Sequence, residues 1–248
     1  MIKLGEGKTA TVYTDGTYAY KKYHDHYDIK NINYEVHVQN EICNKTKLPV
    51  TSYEIVDHMI KMTLYEGPTL ADRILKEGYQ EGLNDFMNLQ KDIYQYHDLD
   101  LHDVYTIFDK QIRNTQIDDL LKEKALQSLS SIERKYVLCH FDFHPLNIIY
   151  SNQSYAIIDW TNAKLGNPSM DIASTYIIFR QYAFELAEPY LLNITHMTNI
   201  SIEEVLKAIP VMAFIKLREN EEKEQEHLLK QFVLGKDDVF HVNIKKGQ

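Results

Sequence analysis

The sequence predicts an α+β protein of two lobes: a small antiparallel β-sheet lobe with one helix, and a larger, mostly helical lobe. The first sixty or so residues of the 248-residue chain are rich in strand-like segments, and helical segments follow Glu66-Gly67-Pro68. One β-like segment, at 147–158, interrupts the helices. We therefore predict an N-terminal lobe over residues 1–62, a hinge over 63–67 and a C-terminal lobe over 68–248.

The small lobe begins with a predicted β-hairpin. The strand-like segments Thr9–Thr14 and Thr17–Tyr23 flank the dipeptide Asp15-Gly16. This dipeptide favours a two-residue turn, because glycine adopts positive φ without a steric cost. A helix is predicted over 33–47, where Leu48-Pro49-Val50 ends it, and strands are predicted over Ser52–Val56 and His58–Leu64.

The large lobe is predicted to be helical on both sides of its β-like segment. Within that segment, Ser151-Asn152-Gln153-Ser154 marks a turn between two short strands. The helical pattern covers 69–76, 83–98, 118–135 and the chain after Asp171.

The composition is that of an acidic globular protein, with a net charge of −9 at pH 7. This charge argues against nucleic acid or an anionic membrane as a partner, because both are negatively charged. We expect no membrane span, because no run of 18 apolar residues exists, and no signal peptide. Cys43 and Cys139 are interpreted as reduced thiols, which favours a cytoplasmic protein.

The most specific motif is H-x-D-x-x-x-x-N, which runs from His140 to Asn147, and a short apolar run follows it and ends in Asp159. This spacing is the one that phosphoryl-transfer catalytic loops use. Asp142 can orient an attacking hydroxyl as a general base. Asn147 and Asp159 offer the hard oxygen ligands that Mg²⁺ prefers. Helix capping or turn formation is the alternative role for Asp142 and Asn147.

A lysine in the small lobe offers a phosphate ligand. The segment Tyr18-Ala19-Tyr20-Lys21 matches the V-A-I-K strand, whose lysine neutralises the α- and β-phosphates of ATP. The small side chain of Ala19 leaves room for adenine. A carboxylate must hold the lysine in place, and Glu35 is the natural partner, with Glu41 as the competing choice.

The segment Gly5-Glu6-Gly7-Lys8-Thr9 is a weaker phosphate-binding candidate. Its two glycines could let backbone N–H groups approach phosphates. The third glycine of the usual G-x-G-x-x-G pattern is Ala10 in this chain, and the P-loop spacing is absent.

Taken together, these motifs resemble the aminoglycoside phosphotransferase and choline kinase-like family, which has the protein-kinase-like fold. The pattern of that family is H-G-D-x-H-P-x-N, then I-D-W or I-D-F, then G-x-P-x-x-D. The resemblance runs from Gly5 to Asp171, about two-thirds of the chain. The matching residues are His140 to Asn147, Ile158-Asp159-Trp160 and Gly166-Asn167-Pro168 leading to Asp171.

The resemblance implies a role for each matched residue. Asp142 is expected to be the catalytic aspartate, and Asn147 and Asp159 are expected to bind Mg²⁺. His140 and Asp171 are expected to support the catalytic loop. Residues Met62 to Tyr65 are expected to lie at the hinge against adenine. The full set of expected nucleotide-binding residues is Gly5, Gly7, Lys8, Thr9, Ala19, Lys21, Glu35, Met62, Thr63, Leu64 and Tyr65.

Near the catalytic loop the chain departs from the family pattern at Phe141, which stands where glycine is usual and affects how the loop packs. The chain also differs from a protein kinase, because Trp160-Thr161 stands where a protein kinase has Phe-Gly and no A-P-E signature follows. These two differences from a protein kinase argue against an activation-loop switch.

We therefore expect an ATP- and Mg²⁺-dependent phosphotransferase that transfers the γ-phosphate directly and in line to a hydroxyl of a small molecule. The acceptor is expected to be an aminoglycoside, a choline-like amine or a sugar-type compound, the first two being cationic. Carboxylates of the helical lobe could bind ammonium groups. A nucleotide-binding pseudokinase or regulatory module is the alternative, and a protein kinase is a weaker one. The candidate carboxylates are Glu185, Glu188, Glu219 and Glu222.

Overall fold

The computed structural model describes residues 1–25, 27–219 and 223–236. The chain divides into two compact units. Unit 1 comprises residues 1–86, 98–101 and 144–163, and unit 2 comprises residues 87–97, 102–143 and those from 164 onward. The lobe boundary expected at 63–67 is a different division of the chain and stays a prediction.

Unit 1 is built on an antiparallel sheet, which confirms the β-rich start of the predicted α+β fold. The sheet order is β1-β2-β3-β5-β4. The first strand was not predicted, because the glycines at positions 5 and 7 indicated a loop there. The strands are β1 (Ile2–Glu6), β2 (Ala10–Thr14), β3 (Tyr18–Tyr23), β4 (Glu54–Val56) and β5 (Met59–Thr63).

The predicted hairpin between β2 and β3 is present, but its turn is longer than two residues. Thr14 pairs with Ala19, so four residues lie between the first paired positions. The Asp15 carboxylate accepts hydrogen bonds of 2.8 Å from the backbone N–H groups of Thr17 and Tyr18, and these bonds stabilise the wider turn. Gly16 has a φ of 93°, the conformation for which a glycine was expected.

The first helix, α1 (Ile29–Lys45), begins earlier than the predicted residue 33. The Asp28 side chain caps it by accepting a hydrogen bond of 2.9 Å from the backbone N–H of Lys30. The two strands that follow are shorter than predicted, since β4 begins at Glu54 and β5 covers Met59–Thr63. His58 is excluded from β5 because Asp57 and His58 both have positive φ and form the tight turn between the strands.

The hairpin predicted within 147–158 is present, and it lies in unit 1. It consists of β7 (Ile148–Ser151) and β8 (Ser154–Ile157). The hairpin lies against the end of the predicted hinge, since the backbone N–H of Tyr150 donates to the Pro68 carbonyl at 2.9 Å. A helix, α2 (Leu70–Leu75), follows the hinge within unit 1.

Unit 2 is mostly helical, also as predicted, but one of its helices was missed. Helix α4 (Val104–Arg113) begins at an Asp103 cap and buries residues at helical spacing, Val104, Phe108 and Ile112 among them. The helix predicted over 83–98 ends at residue 93. The chain after it pairs with the segment around Leu138 instead of continuing the helix. The N–H of Leu138 donates to the Tyr96 carbonyl, and His97 forms a β-bridge with Val137.

The chain after residue 164 forms the helical core of unit 2. Two short strands, β6 (Val137–Cys139) and β9 (Lys164–Gly166), pair antiparallel and were not predicted. Pro168 begins α6, where its missing N–H costs nothing. In the part of the chain that the structure describes, no helix combines the length and the apolar character needed to span a membrane. The remaining helices are α3 (Gly82–Ile93), α5 (Asp119–Ser131), α6 (Pro168–Tyr182), α7 (Phe184–Thr198), α8 (Ile202–Glu219) and α9 (Lys223–Leu234).

Gly67 is the glycine whose replacement is expected to disturb unit 1. A Cβ atom at this position would lie 2.0 Å from the backbone oxygen of Tyr150, and its φ is 153°. Gly67→Ala should therefore lower the free energy of unfolding by at least about 1–3 kcal/mol, measured by denaturant titration. Gly78→Ala is the control, because Gly78 also has positive φ but no atom lies within 4 Å of its added Cβ. Equal losses in the two variants would contradict the steric argument.

Candidate active site

Lys21 and Glu35 form an ion pair in unit 1. The Lys21 Nζ lies 2.7 Å from the Glu35 Oε1, and the two side chains are 18% and 4% exposed. Strand β3 presents Lys21 toward α1, whereas Lys22 on the other face of the strand is exposed. Glu41 is engaged elsewhere, with Lys45 at 2.7 Å and the backbone N–H of Asp100 at 2.7 Å. The structure thus assigns Glu35, not Glu41, as the partner of Lys21.

The buried Tyr23 hydrogen-bonds to Glu35 of this ion pair, and the charge of Glu35 also acts on Tyr53. The Tyr23 hydroxyl donates a hydrogen bond to the Glu35 Oε2, so both carboxylate oxygens are used. Burial, followed by the negative charge of Glu35, raises the pKa of Tyr23. Burial, with smaller contributions from Glu35 and Asp159, raises the pKa of Tyr53 in the same direction. The raised pKa values keep both tyrosine side chains neutral near the negative charge of Glu35.

A cavity of about 430 Å³ opens beside this pair, entirely within unit 1. The structure brings together in its lining most of the residues predicted to bind the nucleotide. Gly5 lies in β1 outside the lining, and Glu35 stands behind Lys21 rather than in the cavity. Sequence reasoning missed Gln39, Thr51 and Tyr53, which no motif marks. The predicted residues in the lining are Gly7, Lys8, Thr9, Ala19, Lys21, Met62, Thr63, Leu64, Tyr65 and Asp159.

The open end of the β7–β8 hairpin places Asn147 and Asp159 on neighbouring strand ends. Asn147 directly precedes β7, and its carbonyl accepts a hydrogen bond of 3.0 Å from the N–H of Ile158, the residue before Asp159. Asp159 is exposed in the cavity lining and has a φ of 60°. A non-glycine residue in this conformation is uncommon and is found more often at functional sites.

The donor set fits a magnesium ion that is bound partly by a substrate. One carboxylate and one amide oxygen at the hairpin end are the share of ligands that a protein typically supplies when phosphate oxygens and water complete an octahedron. Among residues 1–25, 27–219 and 223–236, no group of three His, Cys, Asp or Glu side chains stands together as a metal site. The roles of Asn147 and Asp159 as ligands stay predictions.

The catalytic-loop candidate Asp142 lies in unit 2, next to the buried His140. The backbone N–H of Asp142 donates to His140 Nδ1 at 3.3 Å. The His140 ring also packs edge-on against Phe143, with 5.6 Å between the ring centroids. The Asp142 side chain remains 32% exposed and can therefore meet a substrate.

The loop departs from the family pattern at Phe141, and the structure shows how this residue is accommodated. Phe141 has a φ of 62°, the left-handed region in which glycine has no steric penalty. Its ring is buried and packs edge-on against Phe108 at 5.7 Å. The buried aromatic surface offsets the backbone strain, because burying such a ring contributes about 1.5–3 kcal/mol.

Helix α6 fixes the backbone of this loop through three polar side chains on one helical face. The Asp171 Oδ1 accepts a hydrogen bond of 2.5 Å from the Phe141 N–H, and the Ser174 Oγ donates to the Phe141 carbonyl at 2.9 Å. The Thr175 Oγ1 donates to the Phe143 carbonyl at 2.9 Å. These contacts are the physical basis for the supporting role predicted for Asp171. Ser174 and Thr175 were missed, although their spacing of i+3 and i+4 from Asp171 was a readable signal.

Two lysines of unit 2 approach the same loop and were also missed. The Lys216 Nζ, on α8, lies 3.9 Å from the Asp142 Oδ1. The Lys164 Nζ, on β9, lies 5.9 Å from the centre of the Phe141 ring. Burial lowers the pKa of Lys164 to about 8, against a smaller opposing effect of Glu219.

Three of the carboxylates that were expected to bind a cationic acceptor lie at exposed positions of α7 and α8. Glu185 and Glu188 are exposed on α7, and Glu219 is exposed and lies 3.3 Å from the guanidinium of Arg218. Glu222 lies outside the described residues. A role for these residues stays a prediction.

Comparisons with known proteins agree with the motifs. Residues 81–196, just under half of the chain, match the family model described as "Phosphotransferase enzyme family". No curated protein matches the chain. The resemblance predicted from the catalytic-loop motifs is therefore confirmed over this segment.

The fold is similar to those of several solved small-molecule kinases. A thermostable mutant of aminoglycoside phosphotransferase APH(4)-Ia, in a ternary complex with AMP-PNP and hygromycin B, matches with a TM-score of 0.66 at 14% identity, covering 94% of this chain and 91% of that chain. Choline kinase LicA from Streptococcus pneumoniae matches with a TM-score of 0.65 at 15% identity, covering 95% of each chain. A choline/ethanolamine kinase family protein from Mesorhizobium loti matches with a TM-score of 0.56 at 12% identity, covering 94% and 84%.

These similarities define the class of the protein. The predicted protein-kinase-like fold is confirmed by the structural matches. Together with the family match, the fold indicates a small-molecule kinase.

The half-buried Lys164 is expected to make stability depend on pH in a defined way. Its pKa is about 8 in the folded protein, below its ordinary value of 10.5, so the unfolded chain binds more protons between these values and stability rises with pH there. Lys164→Met removes the buried charge. We expect this variant to melt at a higher temperature than the wild type at pH 7, and the difference to shrink between about pH 8 and 10.5.

The exposed Lys110 on α4 offers the control for this measurement. Lys110→Met should show no such pH-dependent difference in melting temperature. A difference between Lys164→Met and wild type that stays constant from pH 7 to 10.5 would contradict the assignment.

Proposed function

We propose that this protein is an ATP- and Mg²⁺-dependent phosphotransferase that transfers the γ-phosphate to a hydroxyl of a small molecule. The observation that supports this most strongly is the cavity of unit 1, which is lined by both Lys21 and Asp159. Lys21 is held by Glu35, which is the arrangement that phosphate binding by this lysine requires. Ala19 and Met62, paired across β3 and β5, offer an apolar surface to the adenine ring.

The proposed reaction is a single in-line displacement. The acceptor oxygen forms a bond to the γ-phosphorus as the bond between that phosphorus and the β–γ bridging oxygen breaks, and ADP leaves with the bridging oxygen. Asp142 orients the acceptor hydroxyl and receives its proton. Mg²⁺, bound by Asn147, Asp159 and phosphate oxygens, would neutralise charge on the transferring group. Positioning and charge neutralisation account for the catalysis, and no phosphorylated enzyme is involved.

The similar structures bear on the acceptor only by their class. One contains hygromycin B and another is a choline kinase, so small molecules are acceptors on this fold. We propose a small hydroxyl compound for this chain, within the range of aminoglycosides, choline-like amines and sugars. A cytoplasmic location stays a prediction, in accord with the free thiols of Cys43 and Cys139.

A coupled ADP-release screen over aminoglycosides, choline analogues and small sugars tests the function directly. We expect at least one compound to accelerate ADP release in the presence of Mg²⁺. Asp142→Asn provides the blank. Nucleotide binding, seen as a thermal shift with ATP and Mg²⁺, without turnover on any compound would favour the nucleotide-binding module instead.

Asp159→Asn is expected to lower Mg²⁺-dependent turnover by about 100-fold or more, because the amide removes the negative charge that attracts the metal. The melting temperature should be unchanged, since Asp159 is exposed. Asp119→Asn, at an exposed position of α5, is the control for the chemical change alone. Wild-type turnover in Asp159→Asn would overturn the metal assignment.

Asp142→Asn is expected to lower kcat by about 10²–10⁴-fold, the usual contribution of a general base. Its affinity for ATP should stay within about threefold of wild type, because Asp142 is assigned to the acceptor and not to the nucleotide. Kinetics and equilibrium nucleotide binding measured on the same preparation separate the two effects. A large loss of ATP affinity with unchanged kcat would contradict the assigned role.

A further inference from the structure

Lys216 lies beside the proposed catalytic carboxylate although it is distant from it in sequence. Its Nζ is 3.9 Å from the Asp142 Oδ1, and the two side chains are 17% and 32% exposed. The residue lies beyond 81–196, the segment that matches the phosphotransferase family. No motif of the catalytic loop predicts a lysine at this place.

The core of unit 2 fixes the position from which Lys216 reaches the loop. Half of the residues of helix α8 are buried, and the neighbours of Lys216 on either side, Ile215 and Leu217, are both among them. The backbone at Lys216 is therefore set by packing, and its side chain starts from a fixed point. A lysine in the last turn also interacts favourably with the negative end of the helix dipole, which would otherwise face Asp142.

A second lysine of unit 2 lies near the same loop. The Lys164 Nζ, on β9, is 5.9 Å from the centre of the Phe141 ring, and Phe141 directly precedes Asp142. The negative charge of Glu219, one turn after Lys216, favours the charged form of Lys164. Two cationic side chains therefore lie around residues 141 and 142.

We propose that Lys216 is a positioning residue for the phosphoryl-transfer reaction, which orients the Asp142 carboxylate through Oδ1. The inference rests on the proposed function, because it assumes that Asp142 receives the proton of the acceptor. An aspartate has two rotatable side-chain bonds, and an ion pair with its carboxylate narrows the orientations that the side chain samples. Misplacement of a reacting group by about 1 Å can cost 100-fold in rate.

The test compares Lys216→Ala with Lys207→Ala, a lysine on the same helix. The reaction is ADP release from Mg²⁺-ATP with water as the phosphoryl acceptor, so the result does not depend on the identity of the natural acceptor. We expect Lys216→Ala to lower kcat about 10–100-fold with KM for ATP changed less than about threefold. Lys207→Ala should behave as wild type, and both variants should melt like wild type.

Rescue separates positioning from a structural role. Lys216→Arg should restore part of kcat, and ethylammonium chloride should raise the rate of Lys216→Ala without affecting Lys207→Ala. The double variant Asp142→Asn, Lys216→Ala should be no slower than Asp142→Asn alone, because a residue that acts through Asp142 has nothing left to position.

Three results would overturn the inference. Wild-type kcat in Lys216→Ala, while Asp142→Asn is impaired, would remove Lys216 and leave the proposed function standing. Additive losses in the double variant would show that Lys216 acts independently of Asp142. Wild-type kcat in Asp142→Asn itself would overturn the proposed role of Asp142 together with this inference.

Discussion

The catalytic-loop candidate depends on one buried carboxylate, that of Asp171. It accepts hydrogen bonds from the Phe141 backbone N–H at 2.5 Å, the Tyr94 hydroxyl at 2.9 Å and the Gln90 amide at 3.3 Å. A fully buried charge is tolerated only when such donors compensate its lost hydration. The hydrogen bond to Asp171 also fixes the backbone at position 141 from α6, where Phe141 adopts a left-handed conformation.

Unit 1 fixes its candidate site residues in a different way. Both carboxylate oxygens of Glu35 accept hydrogen bonds, one from Lys21 and one from Tyr23, so the orientation of this α1 side chain is fixed. The fixed carboxylate in turn holds the Lys21 ammonium group in place. The backbone pairing at the open end of the β7–β8 hairpin holds Asn147 and Asp159 on neighbouring strand ends. A cavity lined by both Lys21 and Asp159 suits a polyanion together with its metal ion. Neither side chain alone would indicate such a ligand.

Local patterns predicted the local parts of this site, and long-range packing decided the rest. The Lys21–Glu35 pairing followed from a strand register and a helix, and the structure confirms it over Glu41. Sequence spacing could not find Lys216, because only the folding of α8 onto unit 2 brings it to Asp142. The paired strands β6 and β9 were missed for the same reason, since three-residue strands far apart in sequence have no periodicity. Helix α4 was not predicted either, although the helical spacing of its apolar residues is visible in the sequence.

Following a labelled γ-phosphate shows whether this protein transfers the γ-phosphate of ATP to a small molecule. ATP labelled at the γ-position is incubated with Mg²⁺, the wild-type protein and a cell extract separated into small molecules and proteins. We expect label in an organic compound of the small-molecule fraction, and no such label when Asp142→Asn replaces the wild type. Label transferred to protein, or label that remains in ATP with every fraction, would overturn the proposed function.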